Sequence, residues 1–171
     1  MLKMFTTQLG GLYQRISSSE EESIEETARL LAQATFGQGR VFFACFDELQ
    51  AIEVNAIHAE EQFTNLHSWS EDVVLNDGDR VCIFVRHADH PQALALAKKL
   101  FEQFIPFAVV ASEKLKDAGE MADYAYTYIS MGVRKGLIPN DAGERIVVPH
   151  TLSASFIYEA IKISYDEMVN E

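Results

Sequence analysis

Cysteine and proline are scarce in this sequence, and long apolar runs are missing. The 171 residues include four prolines and two cysteines. Two cysteines are too few for the disulfide frameworks that hold small secreted domains together. No run of apolar residues approaches the length of about 18 that a membrane-spanning helix needs. The apolar start of the chain is interrupted by Thr6, Thr7 and Gln8. We therefore expect neither a signal peptide nor a membrane anchor, no membrane partner, and a cytoplasmic protein.

The short motifs of common enzyme classes are also absent. The sequence contains no G-x-G-x-x-G or Walker loop for nucleotides, no G-x-S-x-G nucleophile elbow, no H-E-x-x-H zinc motif and no C-x-x-C pair. Each of these motifs places a specific chemical group on a ligand, so their absence argues against the matching cofactors. We expect the protein to use no cofactor.

Basic residues are outnumbered by acidic ones. Fourteen lysines and arginines stand against 26 aspartates and glutamates, which gives a formal net charge of −12. No cluster of basic residues occurs along the sequence, so we expect no nucleic-acid partner. A small anion is still possible as a ligand, because a few backbone amides and one or two basic side chains suffice to hold it.

The clearest positive signal is a set of short apolar runs separated by amphipathic helices. The runs read as strands buried on both faces, the pattern of a parallel sheet. They are Val41–Phe46, Val81–Val85 and Phe107–Ala111, with weaker candidates near Val73–Val74, Tyr124–Ile129 and Ile146–Val148. Because helices of ten or more residues connect them, we predict one α/β domain over residues 1–171, a three-layer sandwich with a central parallel sheet of about five strands. Cys45 and Cys82 fall within these strands, which predicts buried free thiols.

An amphipathic helix precedes this pattern, over residues 1–18. Its apolar positions are Phe5, Leu9, Leu12 and Ile16, while the Gly10-Gly11 pair weakens it. A helix that is weak alone gains stability from a partner, so we predict a homodimer or homotetramer with this helix in the contact. Ser19 and Glu22 are spaced as a capping box that starts the next helix.

The loop after the second strand, Arg86-His87-Ala88-Asp89-His90, is the first candidate ligand site. Open α/β sheets bind ligands beyond the carboxyl ends of their strands. Pro91 suits the first turn of a helix, whose free amides attract anions. Arg86, His87, Asp89 and His90 are therefore candidate phosphate- or substrate-binding residues, although a solvated loop in which His90 or Asp89 caps the helix fits equally well. A metal site is the third alternative, but three ligands within four loop positions rarely converge on one ion, so we expect no metal.

Two further groups of residues complete the candidate cleft. The loop after the first strand holds Cys45, Phe46, Asp47 and Glu48, and its acids are expected to cap the following helix rather than to act in catalysis. Ser112 ends the third strand and is expected to line the same cleft.

Two candidates for proton transfer lie near the C-terminus. His150 precedes the last helix and serves either a structural role or as an acid. Glu159, on that helix, is either an exposed glutamate or a carboxylate suited to proton abstraction.

The order of these segments resembles the SIS (sugar isomerase) domain, and in particular the phosphoheptose isomerases. The matching stretches are ARLLAQATFGQGRVFFA, NDGDRVCIFV, PQALALAKKLFEQFIPFAVVAS, Met121-Ala122-Asp123 and IVVPH, in order between Ala28 and Glu167. The chain is also similar to a branch of that superfamily from Bacillus-like bacteria. The resemblance implies a flavodoxin-like sandwich and a cleft for a small anionic sugar phosphate.

The sequence departs from the resemblance in its loops. The loop at Arg86–His90 has neither the hydroxyls nor the glycine of the family's phosphate cradle, and Glu159 alone matches an acidic position on the last helix. We therefore expect a phosphosugar-binding protein without turnover. The first alternative is an active aldose–ketose isomerase, with Glu159 as base and His150 or His87 as acid. The second alternative is a structural dimer without a ligand.

Overall fold

A five-stranded parallel sheet forms the centre of the protein. The computed structural model describes residues 1–171, and the strand order is β2-β1-β3-β4-β5 with every pairing parallel. The strands are β1 (Val41–Cys45), β2 (Leu66–His67), β3 (Arg80–Phe84), β4 (Phe107–Ala111) and β5 (Thr127–Ser130). The prediction of a parallel sheet with the three apolar runs at its centre is confirmed. The strand expected near Val73–Val74 is wrong, since the edge strand is β2.

The sheet is covered on both faces because each central strand is apolar at every position except Arg80, the first residue of β3. Alternate residues point to opposite sides, so Val41 and Phe43 join a cluster of 28 buried residues, whereas Phe42 and Ala44 join one of 16. The helices are α1 (Leu2–Ser19), α2 (Glu21–Phe36), α3 (Gln50–His58), α4 (Pro91–Glu102), α5 (Glu120–Tyr124) and α6 (His150–Val169). None of them is long and apolar enough to cross a membrane. The three-layer α/β sandwich predicted from the sequence is therefore correct.

The N-terminal helix α1 is continuous through Gly10 and Gly11 and contacts α2 and α6 of its own chain. Leu12 and Ile16 are each only 2% exposed, so they belong to the core. These two residues cannot lie in the predicted contact between subunits, which corrects that part of the expectation. The dimer itself stays a prediction.

The capping box expected at the start of α2 does not form. The Ser19 hydroxyl donates to the carbonyl of Arg15 inside α1, and the N-cap is Glu20, without a side-chain cap. The Glu20 carboxylate instead accepts a hydrogen bond from the amide of Ser130 at the end of β5, at 2.7 Å. The junction of α1 and α2 is thus attached to the carboxyl edge of the sheet.

A buried aspartate joins the amino ends of β1 and β3. Asp79 is 1% exposed and accepts hydrogen bonds at 2.8 Å from the backbone amides of Arg40 and Asn76. The Arg40 guanidinium adds contacts at 2.8 and 3.3 Å. Burial by itself raises the pKa of Asp79, but these donors outweigh burial and leave the pKa below its ordinary value.

A small two-stranded sheet lies beside the main one. Its antiparallel strands are β6 (Ile138–Pro139) and β7 (Arg145–Ile146). Gly136 precedes β6, and a side chain there would meet the carbonyl oxygen of Ile146 at 2.2 Å. The close approach of these backbones therefore requires glycine, and it fixes the segment between β5 and β6.

Candidate functional site

A large cleft opens at the carboxyl edge of the sheet, beside the ends of β4 and β5. Its volume is about 1510 Å³. The walls are the junction of α1 and α2, the loop after β4 and the segment after β5. We call it the basic cleft, because its lining includes six basic side chains, namely Arg15, Lys114, Lys116, Arg134, Lys135 and Arg145.

The charge of the basic cleft is opposite to that of the rest of the molecule. Its six basic side chains face three acidic ones, Glu20, Glu113 and Asp117. The remainder of the chain holds eight basic and 23 acidic residues. A concave surface that concentrates one sign of charge raises the local concentration of oppositely charged ligands. The basic cleft is therefore an attractive site for anions on an acidic protein.

Five of these cations have no partner. Arg15, Lys114, Lys116, Arg134 and Lys135 are exposed, and none of them takes part in an ion pair or a side-chain hydrogen bond. The sixth, Arg145, donates to the carbonyl oxygens of Gly136 and Leu137 at 3.1 and 2.7 Å, so it anchors the neighbouring segment. Unpaired cations in a cleft keep their full capacity to bind an anion.

By contrast, the arginine predicted to bind phosphate is already paired. The guanidinium of Arg86 binds both carboxylate oxygens of Glu48, with its Nε at 2.7 and 2.8 Å from them and its Nη2 also in contact. The hydrogen bonds from Arg86 lower the pKa of Glu48.

The expectation that Asp47 and Glu48 cap the following helix is wrong, because residues 47–49 form a 3-10 turn without a side-chain cap and α3 begins only at Gln50.

The first turn of α4 offers few free amides. Pro91 has no N–H, and the amide of Ala93 donates to Nδ1 of His90 at 3.3 Å, so Gln92 supplies the one free donor of the turn. His90 also lies 3.5 Å from Asp47 through its Nε2. The helix-capping alternative for His90 is thus confirmed. Most polar groups of the loop from Arg86 to His90 have their hydrogen-bond or ion-pair partners within the protein.

Glu113 occupies the place in this loop where an external anion was expected. One carboxylate oxygen accepts a hydrogen bond from the backbone amide of Ala88 at 2.8 Å, and the other lies 2.7 Å from Nδ1 of His87. Burial raises the pKa of Glu113, but these hydrogen bonds outweigh it and leave the pKa below its ordinary value. Glu113 is therefore ionised near neutral pH and orients the His87 ring.

A second histidine lies against His87. The rings of His87 and His150 meet edge to face at 5.5 Å, and Nδ1 of His150 is 3.2 Å from the hydroxyl of Ser112. Burial, followed by the proximity of His87, lowers the pKa of His150, which leaves this ring neutral at pH 7. Both rings line a smaller opening of about 450 Å³, the histidine pocket, together with Glu48, Arg86, Val148, Pro149, Thr151 and Leu152.

His87 and Pro149 line both the basic cleft and the histidine pocket, so the two openings adjoin at these residues, and Ser112 lines the basic cleft beside them. The remaining candidates stand apart from that junction. Cys45 is a free thiol whose pKa is raised by burial, and the ring of Phe46 packs 5.0 Å from that of His90. Asp89 is exposed. Glu159 is exposed on α6 and nine residues beyond His150, which is about 14 Å along the helix. Glu159 lines neither opening, so the structure does not bring the proposed base to the site.

No group of three or more histidine, cysteine, aspartate or glutamate side chains has the arrangement of a metal site. His87 and His90 instead make separate contacts, with Glu113 and with Ala93. The expectation of a metal-free protein stays a prediction.

Sequence reasoning missed the five unpaired cations and Glu113. The cations come from α1, the loop after β4 and the segment after β5, so they form no cluster along the chain. One signal was available, since Glu113, Lys114 and Lys116 follow the carboxyl end of a central strand, where such sheets bind ligands. Nothing in the sequence pattern indicates that Arg15 reaches the same cleft.

Comparison with solved structures identifies the fold. The phosphoheptose isomerase GmhA from Neisseria gonorrhoeae superposes with a TM-score of 0.66 at 11% identity, over 97% of each chain. A proposed phosphosugar isomerase involved in capsule formation, from Bacteroides fragilis, gives 0.78 at 11% identity, over 99% of this chain and 90% of that one. The NanR protein of Vibrio vulnificus, complexed with ManNAc-6P, gives 0.69 at 8% identity, over 96% and 61%. The resemblance to SIS domains is confirmed at the level of the fold.

Comparison at the level of sequence identifies the family. The protein YwjG of Bacillus subtilis (strain 168) is 31% identical over 172 aligned residues, which cover 100% of this chain and 99% of YwjG. The family model described as a domain of unknown function, DUF2529, matches residues 1–169. The chain thus belongs to the DUF2529 family, whose fold in this member is that of the SIS domain.

Proposed function

We propose that the protein binds a small phosphorylated sugar in the basic cleft and acts as a binding protein rather than a catalyst. The observation that carries this proposal is the set of five unpaired lysines and arginines in one cleft of a chain with a net charge of −12. Phosphate is the common anionic group that such cations bind through charge-assisted hydrogen bonds.

The lining of the basic cleft also suits the sugar part of such a ligand. Beside the cations it holds hydroxyl and amide side chains, namely Gln8, Gln14, Ser18, Ser19, Ser23, Ser112 and Ser130. These groups both donate and accept hydrogen bonds, as sugar hydroxyls do. The structural neighbours support the ligand class, since one is a phosphoheptose isomerase and another is complexed with ManNAc-6P.

The start of α4 is the competing location for the phosphate. To bind there, a ligand has to displace Glu48 from Arg86 and Glu113 from the amide of Ala88. Both displacements expose a carboxylate to the incoming anion, which costs binding energy. Binding in the basic cleft breaks neither contact, because its five unpaired cations are already free.

A thermal-shift panel tests the proposal. We expect at least one sugar phosphate to raise the melting temperature, while the same sugar without phosphate leaves it unchanged. A ligand at 100 times its dissociation constant adds about 2.7 kcal/mol to the free energy of unfolding. For a chain of this size that corresponds to about 5–10 °C. A panel in which no sugar phosphate shifts the melting temperature contradicts the proposal and favours the structural alternative.

An active isomerase is the second candidate, and the two histidines favour it. Aldose–ketose isomerisation needs a base that removes the proton from C2 and an acid that protonates the carbonyl oxygen on C1, which gives an enediol. The proton then returns to C1 while the 2-hydroxyl gives up its proton to the group that acted as acid, so that C2 becomes the carbonyl carbon. His150 is neutral and suited to the role of base, whereas the His87 ring, oriented by Glu113, lies beside it in the position of the acid. Under this alternative the reacting carbons lie where the two openings adjoin.

Proton exchange in heavy water distinguishes the two candidates. If the protein is a binding protein, we expect no deuterium at C2 of any aldose phosphate that binds, as measured by NMR. Exchange that depends on the protein, is lost in His150→Gln and persists in His58→Gln establishes the isomerase instead. His58 is an exposed histidine at the end of α3, which makes it a matched control. Loss of exchange in Glu159→Gln points to the base suggested by the family resemblance.

A further inference from the structure

The unpaired cations of the basic cleft are divided between two of its walls. Lys114 and Lys116 lie on the loop after β4, around a 3-10 turn over residues 115–117. Arg134 and Lys135 lie side by side on the segment after β5. Arg15 of α1 completes the set. Each of the two walls therefore presents a pair of positive charges to the same open cleft.

Both walls are held in place by contacts that do not use these four cations. The backbone carbonyl of Glu113, next to Lys114, accepts a hydrogen bond from the hydroxyl of Tyr128 at 2.6 Å. On the other wall, Arg145 binds the carbonyl of Leu137, and Gly136 packs against the backbone of Ile146. Fixed walls reduce the ordering cost that binding would otherwise incur. The backbone that carries the two cation pairs is thus held in place, and the four side chains are free to bind.

The number of charges exceeds what one phosphate requires. A phosphate monoester carries a charge of about −1.5 to −2 near pH 7, which one pair of cations balances. The basic cleft holds six basic and three acidic side chains, a net charge of +3, which exceeds the charge of one such group and approaches that of two. The volume points the same way, because the cleft of about 1510 Å³ is larger than the roughly 300–1,000 Å³ typical of small-ligand sites.

We infer that the ligand of the basic cleft carries two separate anionic groups, as a bisphosphorylated sugar does, one held by Lys114 and Lys116 and the other by Arg134 and Lys135. This inference rests on the proposed function and makes its ligand class more specific. A sugar with a phosphate at each end spans the cleft and places its hydroxyls between the two walls, near the serine and glutamine side chains that line it.

Calorimetry with a matched pair of probes tests the inference. We expect fructose 1,6-bisphosphate to bind about 10- to 150-fold more tightly than fructose 6-phosphate, the gain of one further charge-assisted contact. The advantage should shrink as salt is added. In each of the variants Lys114→Ala/Lys116→Ala and Arg134→Ala/Lys135→Ala, the two probes should bind with similar affinity. In such a variant only one pair of cations is left, so the second phosphate of fructose 1,6-bisphosphate has nothing to bind.

The outcomes separate this inference from the proposed function. If both probes bind the unmodified protein equally tightly, the ligand has one anionic group, so the inference is wrong while the proposed function stands. If one paired variant abolishes the binding of both probes and the other variant changes nothing, a single wall holds the phosphate and the inference is again wrong. If neither probe binds at millimolar concentration, the result contradicts the proposed function as well.

Discussion

The double charge reversal Lys114→Glu/Lys116→Glu should weaken the binding of sugar phosphates by more than about 100-fold, because it removes the cations of one wall of the basic cleft and replaces them with carboxylates. Each charge-assisted hydrogen bond to phosphate contributes about 1.5–3 kcal/mol, and every 1.4 kcal/mol is about a factor of ten in affinity. The two new carboxylates also repel the ligand. Calorimetry with whichever sugar phosphate raises the melting temperature most provides the measurement.

Lys98→Glu/Lys99→Glu is the matched control for that variant. Lys98 and Lys99 are adjacent exposed lysines on α4, and neither lines the basic cleft. The control changes the net charge of the protein by the same amount, so it reproduces any loss of long-range attraction. We expect it to lower affinity by less than about threefold, since charges beyond the Debye length of about 8 Å at physiological salt are screened. Equal losses in both variants would show that net charge alone, and not the cleft, governs binding.

The substitution Asp79→Ala should lower the free energy of unfolding by about 1.5–3 kcal/mol, the range for hydrogen bonds to a charged acceptor, because Asp79 is buried whereas its partner Arg40 is about one-third exposed and stays hydrated. The loss leaves the amides of Arg40 and Asn76 without their acceptor in the protein. Denaturant titration at pH 7 measures the change. Asp77→Ala is the control, because Asp77 is an exposed residue of the same turn and its side chain makes no hydrogen bond.

The effect of Asp79 should also depend on pH. Its pKa in the folded protein is lowered, so the stabilisation is present above the unfolded value of about 3.9. It disappears as the pH falls through the folded value, because protonation removes the negative charge that the donors hold. The difference between the unmodified protein and Asp79→Ala should therefore be constant above about pH 5 and shrink below pH 4. A difference under 1 kcal/mol at pH 7 contradicts this account of the turn.

The central strands could be predicted from the sequence because burial on both faces leaves a continuous apolar run. Val41–Cys45 and Phe107–Ala111 carry that signal in full. The edge strand β2 could not be predicted, since it has two residues and no periodic pattern arises over such a length. The capping box predicted at the start of α2 is wrong for a different reason. A serine and a glutamate three residues apart fit a capping box, but Ser19 is still within α1.

The candidate site was predictable only where its residues follow the strands directly. Arg86 and His87 were found in that way, and so was Ser112, whose contact with His150 spans 38 residues of sequence. What the sequence does not carry is the internal pairing of these groups. Glu48, which follows β1, and Glu113, which follows β4, bind groups of the loop at residues 86–90. Such pairing follows from the spatial order of the strands, in which β1 and β4 flank β3.

Amide chemical-shift mapping on addition of fructose 1,6-bisphosphate or fructose 6-phosphate tests most directly whether the basic cleft is the ligand site. We predict that the largest shifts fall on residues 114–117 and 131–135, with smaller ones at His87 and Ser112. The amides of Gln92 and Ala93 in the first turn of α4 should stay nearly unchanged, because His90, Glu48 and Glu113 already satisfy that loop. Shifts confined to residues 86–93, or no shifts with either probe, would contradict the account.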